Sequence, residues 1–90
     1  MNDGKPYVPP PPEADGNYRY YLLDHARPVR IEYDERQRPH RAEAPDPADG
    51  GVLKVDLRLI TDVSGNGRVD DINKKKFVEL YRRAASEAPR

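Results

Sequence analysis

Val29-Arg30-Ile31-Glu32-Tyr33, followed after Asp34–Arg38 by Pro39-His40-Arg41-Ala42-Glu43-Ala44, is the stretch on which the fold turns. Val29, Ile31 and Tyr33 alternate with charged residues, as do His40, Ala42 and Ala44, and period two is the mark of a half-buried strand. Setting Ile31 opposite Ala42 places Val29 opposite Ala44. The same antiparallel register sets Arg30 against Glu43 and Glu32 against Arg41. A slip of one residue would send the apolar row to the other face, so apolar and charged rows together specify the pairing.

The pattern extends in both directions. Upstream, Tyr18, Tyr20 and Leu22 alternate with Arg19, Tyr21 and Leu23. Pairing Leu22 with Val29 brings Tyr20 to Ile31 and Arg19 to Glu32. Downstream, Leu53, Val55, Leu57 and Leu59 alternate with Lys54, Asp56 and Arg58. Pairing Ala42 with Val55 brings Glu43 to Lys54 and Arg41 to Asp56. The segments between, Asp24–Arg27, Asp34–Arg38 and 45–51, carry turn residues. Strands are therefore expected over 18–23, 29–33, 40–44 and 52–61.

A helix is expected over 70–86. Asp70 would cap it, and Phe77, Leu80, Tyr81, Ala84 and Ala85 form one stripe at helical spacing. The expected architecture is α+β: a four-stranded antiparallel meander covered on one face by a single C-terminal helix. It makes one domain over 18–88, preceded by a disordered proline-rich tail over 1–17. In that tail Pro9 and Pro12 have the PxxP spacing of SH3 and WW ligands, but Glu13 rather than a basic residue follows, which favours a plain leader.

Composition narrows the function. Sixteen basic and sixteen acidic residues cancel, so no net charge steers the chain toward nucleic acid or an anionic membrane. The sequence has no cysteine, which removes disulfides, thiolate metal sites and thiol catalysis. Met1-Asn2-Asp3-Gly4 has neither the basic nor the apolar region of a signal peptide, and no apolar run approaches a membrane span. A soluble, cytoplasmic protein without membrane contact is expected. Ser64, Ser86 and Thr61 have no histidine near them in sequence. His25 falls in a turn and His40 on an inward row opposite Tyr33, so no enzyme is expected.

The stretch Asp62–Asn73 resembles the calcium loop of EF-hands, and more closely the dockerin type. The resemblance implies ligands from Asp62, Ser64, Asn66, the Arg68 carbonyl, Asp70 and Asn73, with Gly67 at the sharp turn. Asparagine at the twelfth position offers one neutral oxygen where a bidentate carboxylate is usual, which implies affinity of about millimolar. The same residues also read as a plain turn with Asp70 as a cap. Tyr33-Asp34 is similar to the tyrosine–aspartate repeats of RHS proteins, in a single copy.

Lys75, Lys76, Arg82 and Arg83 form the candidate nucleic-acid surface, interrupted by Glu79. The far end of the fourth strand, Leu59 and Ile60, would lie beside unpaired backbone, with Tyr21 and Leu23 on the nominal solvent face. The leading expectation is a non-catalytic interaction or regulatory module that pairs with another protein or a second copy of itself through that edge, without a cofactor. Weak calcium binding is the alternative, and a nucleic-acid accessory role comes third.

Overall fold

The computed structural model describes residues 8–46, 48, 50–65 and 68–87. The elements run β1 (Tyr18–Leu23), β2 (Arg27–Tyr33), β3 (Pro39–Asp46), β4 (Val52–Val55), α1 (Arg58–Gly65), β5 (Val69–Ile72) and α2 (Lys74–Glu87). The strands form one antiparallel sheet in the order β4-β3-β2-β1-β5. The α+β class and the antiparallel sheet agree with the sequence. The sheet has five described strands rather than four, and two helices rather than one.

The β2–β3 register is the expected one, with Ile31 opposite Ala42, Arg30 opposite Glu43 and Glu32 opposite Arg41. Past Glu32 a register irregularity brings Tyr33 opposite Pro39, so His40 is not Tyr33's partner and is exposed. The β1–β2 register differs by one residue from the expectation. Tyr20 opposes Arg30 and Tyr21 opposes Val29. The cause is the turn: Leu23 pairs with Arg27 across a three-residue connection in which Asp24 and His25 take positive φ (54° and 58°). An odd number of loop residues reverses which face each β1 side chain occupies. β3–β4 is likewise shifted by one, with Glu43 opposite Val55 and Ala44 opposite Lys54.

These shifts give the sheet two buried faces. On one, Leu23, Val29, Ile31, Ala42 and Ala44 form a buried cluster with Leu59 of α1, and Tyr21, Tyr33, Ile60, Val63 and Val69 pack around it. On the other, Tyr20, Arg30 and Glu43 lie in line across β1, β2 and β3. There α2 places buried Phe77 with its ring 5.1 Å from that of Tyr20. Each helix thus covers one face.

Helix α1 replaces the far half of the expected long strand. Asp56 follows β4 and caps the helix: its Oδ1 accepts from the Arg58 amide (3.1 Å) and its carbonyl from the Leu59 amide (3.1 Å). Leu59, Ile60 and Val63 then fall at helical spacing on the cluster side. Helix α2 begins four residues later than expected. Asn73, not Asp70, is its cap, with Oδ1 accepting from the Lys76 amide (2.8 Å) and its carbonyl from Phe77 (3.0 Å). Asp70 belongs to β5, opposite Leu22 of β1.

The segment 8–17, expected to be loose, lies along the α2 face. Pro12 is buried, Glu13 approaches Arg82 at 3.7 Å, and Asp15 accepts from Lys74 at 2.7 Å. Prolines carry no amide hydrogen and cannot donate to a ladder. Here the carbonyls of Pro10 and Pro11 accept from Arg30, and that of Pro11 also accepts from the Ala14 amide (3.0 Å). Residues 1–7 of the expected tail and residues 47, 49, 66, 67 and 88 of the expected domain lie outside the described residues.

Candidate interaction surfaces

A sheet with two open edges must manage the backbone groups that face away from it. The two edges here are built differently. β5 carries Asp70 and Asp71 in succession, both exposed, and charge on an edge disfavours pairing with another strand. β4 carries Val52 and Val55, exposed at 50% and 40%, on either side of the exposed Lys54, and the chain then turns through Leu57, exposed at 60%. Three large apolar side chains are thus offered beside an open strand. Of the four β4 residues only Leu53 is buried, inward against Pro45 of β3.

The edge residues expected from sequence occupy other places. Leu59 is fully buried and Ile60 half-buried, because both sit on α1 and face the apolar cluster. Leu23 is 5% exposed and Tyr21 half-buried, because the odd-length turn carries them to the cluster face. None of the four borders the β4 edge. Val52, Val55 and Leu57, which do, were signalled by the same alternating run, but a strand continuing to residue 61 assigns its exposed end to the wrong residues.

The twelve residues resembling a calcium loop are divided between elements. Asp62 and Ser64 are exposed on α1, Arg68 precedes β5, Asp70 lies in β5 and Asn73 caps α2. Asn66 and Gly67 lie outside the described residues. The Ser64 hydroxyl donates to the Ile60 carbonyl one turn back, and Asp70 Oδ2 lies 3.1 Å from His25 Nδ1. Among the described residues, no group of three or more histidine, aspartate or glutamate side chains is gathered to hold a metal ion.

The candidate nucleic-acid residues Lys75, Lys76, Arg82 and Arg83 are all exposed on α2. Three of them have acidic neighbours: Lys76 and Arg83 both reach Glu79 (3.5 and 3.6 Å), and Arg82 reaches Glu13. Alternating charge of this kind solvates a helix face rather than forming a continuous cationic track. Beside these residues runs an open groove of about 780 Å³, lined by Glu13, Lys74, Lys75, Val78, Glu79 and Arg82.

The most densely bonded polar group is Arg30, which sequence reasoning set on a solvated outer face. Its side chain and that of Glu43 are 0% and 1% exposed. Nε and Nη2 both bond Glu43 Oε1, Nη1 donates to the Pro11 carbonyl (2.9 Å), and Nη2 to that of Pro10 (2.9 Å). The Tyr18 ring lies 4.4 Å from the guanidinium carbon, and that of Phe77 6.0 Å. The expected Arg30–Glu43 pairing was the available signal; what it lacked was a second helix to cover that face.

No described helix is long and apolar enough to cross a membrane. In comparison with known proteins, the chain matches no protein-family model, no curated protein and no solved structure.

Proposed function

We propose that the chain is a non-catalytic protein-interaction or regulatory module whose partner adds an extended strand to the β4 edge. The observation that supports this is the contrast between the two edges: paired aspartates on β5, exposed Val52 and Val55 followed by Leu57 on β4. Strand addition draws affinity from main-chain hydrogen bonds and selectivity from side chains, and β4 offers both, with exposed Val52 and Val55 on either side of the single charge Lys54. The occupant is an extended, apolar segment of another protein. The reading keeps the cytoplasmic setting expected from sequence.

The test uses the full chain and Val52→Asp/Val55→Asp. Both positions are exposed, so the double variant should keep its stability within about 1 kcal/mol, roughly 0.5 per site. A protein co-purifying with the wild type and lost from the variant supports the reading. Retention of that protein by the variant removes the β4 edge from it. A concentration-dependent wild-type dimer that the variant abolishes would make the occupant a second copy instead.

A further inference from the structure

On the α2 face the Arg30 side chain bonds the carbonyls of Pro10 and Pro11 of the N-terminal segment. Arg30 is fixed by Glu43 and by the Tyr18 ring, so its remaining donors point outward in one orientation, toward two successive prolyl carbonyls. A planar guanidinium can serve two acceptors at once, which a lysine in its place could not do with the same geometry. Pro12, just beyond, is buried. Proline-rich segments elsewhere dock in aromatic-lined grooves, and here the Tyr18 ring stands beside the guanidinium that bonds the two prolyl carbonyls.

The fastening of the segment is lighter than the site that receives it. Beyond the Arg30 bonds and the buried Pro12, it is tied by Glu13–Arg82 at 3.7 Å and Asp15–Lys74 at 2.7 Å, and it is anchored at Asn17, whose carbonyl accepts from the Tyr33 amide (2.9 Å) and whose Nδ2 donates to the Tyr33 carbonyl (3.1 Å). Glu13, Asp15 and Arg82 are all well exposed, and surface pairs of this kind contribute little. The open groove along α2 continues from Glu13, leaving room for a chain longer than the resident one.

We propose that Arg30, Tyr18 and Phe77 form a binding site for proline-rich segments. Residues 8–16 are its resident occupant, and a proline-rich segment of a second protein, with carboxylates following the prolines, is the competing one. Glu13 and Asp15 set that requirement, since Arg82 and Lys74 await acidic residues downstream of the prolines. The resident segment then regulates access by holding the site until a better ligand displaces it. This site is separate from the β4 edge and does not depend on it.

The experiment uses the full chain and the variant Glu13→Arg/Asp15→Arg, which loosens the resident segment through exposed residues alone. The probe is the synthetic peptide Val-Pro-Pro-Pro-Pro-Glu-Ala-Asp-Gly, with a control in which serine replaces each proline. Nuclear magnetic resonance follows the Arg30 side-chain Nε–H and the Phe77 ring. The peptide should bind the variant about tenfold more tightly than the wild type, given two lost surface pairs. It should shift both signals, and the control should not. Equal affinity for wild type and variant, absence of shifts at Arg30, or equal binding of the serine control would overturn the proposal.

Discussion

Arg30 and Glu43 face each other across β2 and β3 and form an ion pair from which water is excluded, on the face of the sheet that α2 covers. Two charges removed from water are tolerated when each is bonded on every side. Arg30 meets that condition with Glu43, the carbonyls of Pro10 and Pro11, and the Tyr18 ring. The pair therefore ties the middle hairpin to Pro10 and Pro11 of the N-terminal segment, well before that segment reaches β2 through the Asn17 carbonyl.

Removing one partner should cost far more than removing both. Glu43→Ala leaves the guanidinium buried without its counter-charge, and a loss of about 3–5 kcal/mol is expected in urea unfolding. Arg30→Met/Glu43→Leu removes both charges and should lie close to wild type in stability. A double variant as unstable as the single one would show that the face depends on the bonds themselves rather than on avoiding an uncompensated charge.

Two adjacent glycines should respond differently to alanine. Gly50 has φ +68° and open space where a Cβ would stand, so Gly50→Ala meets only the left-handed backbone penalty, about 1–2 kcal/mol. Gly51 has φ +83°, and a Cβ there would lie 2.5 Å from the Cα of Ala85 in α2. Gly51→Ala adds a backbone clash worth about 1–3 kcal/mol more. Thermal unfolding of the two variants compares them directly, and equal losses would mean that α2 shifts freely away from the β3–β4 turn.

The middle hairpin was legible because two independent patterns, the apolar row of Val29, Ile31, Ala42 and Ala44 and the charge pairs Arg30–Glu43 and Glu32–Arg41, demand one register. The first hairpin offered a similar agreement, Tyr20 with Ile31 and Arg19 with Glu32, yet the structure pairs it one residue away. Its register depends on Asp24 and His25 both adopting positive φ, which non-glycine residues seldom do, so the length of the turn could not be read from residue types. From Leu53 to Leu59 the apolar residues satisfy alternation, while Leu59, Ile60 and Val63 satisfy helical spacing; Asp56 as a cap decides for the helix. That ambiguity displaced the candidate edge from Val52, Val55 and Leu57 to Leu59 and Ile60. The proline-rich segment has no periodicity to reveal its seat, since Arg30 holds it through carbonyls common to every residue.

The α2 cap separates the two readings of its start. Asn73→Ala removes the acceptor for the Lys76 amide and should cost about 1 kcal/mol. Asp70→Ala, in β5, should change stability by no more than about 0.5 kcal/mol, because its contact with His25 is exposed. Chemical denaturation of the two variants measures both. A larger loss from Asp70→Ala than from Asn73→Ala would return the cap to the earlier position.

The pairing of Tyr33 with Tyr21 predicts an alkaline limit to the fold. Their hydroxyl oxygens lie 3.0 Å apart beside the apolar cluster. Burial first, and the hydrogen bond with Tyr21 second, push the Tyr33 hydroxyl up to about 12, against the opposing pull of the Arg19 guanidinium above its ring. Tyr18 and Tyr20 are also raised, each chiefly by burial. The folded protein therefore holds these protons more tightly than the unfolded chain, whose tyrosines titrate near 10. Their contribution to stability is whole below about pH 10 and declines as the pH climbs toward 12. Ultraviolet absorbance should show a fraction of the phenolate forming late, together with loss of the folded signal. Tyr33→Phe should shrink that late fraction and soften the decline above pH 10. Titration of all six tyrosines in one step near pH 10, with the fold intact, would contradict the burial and bonding assigned to this pair.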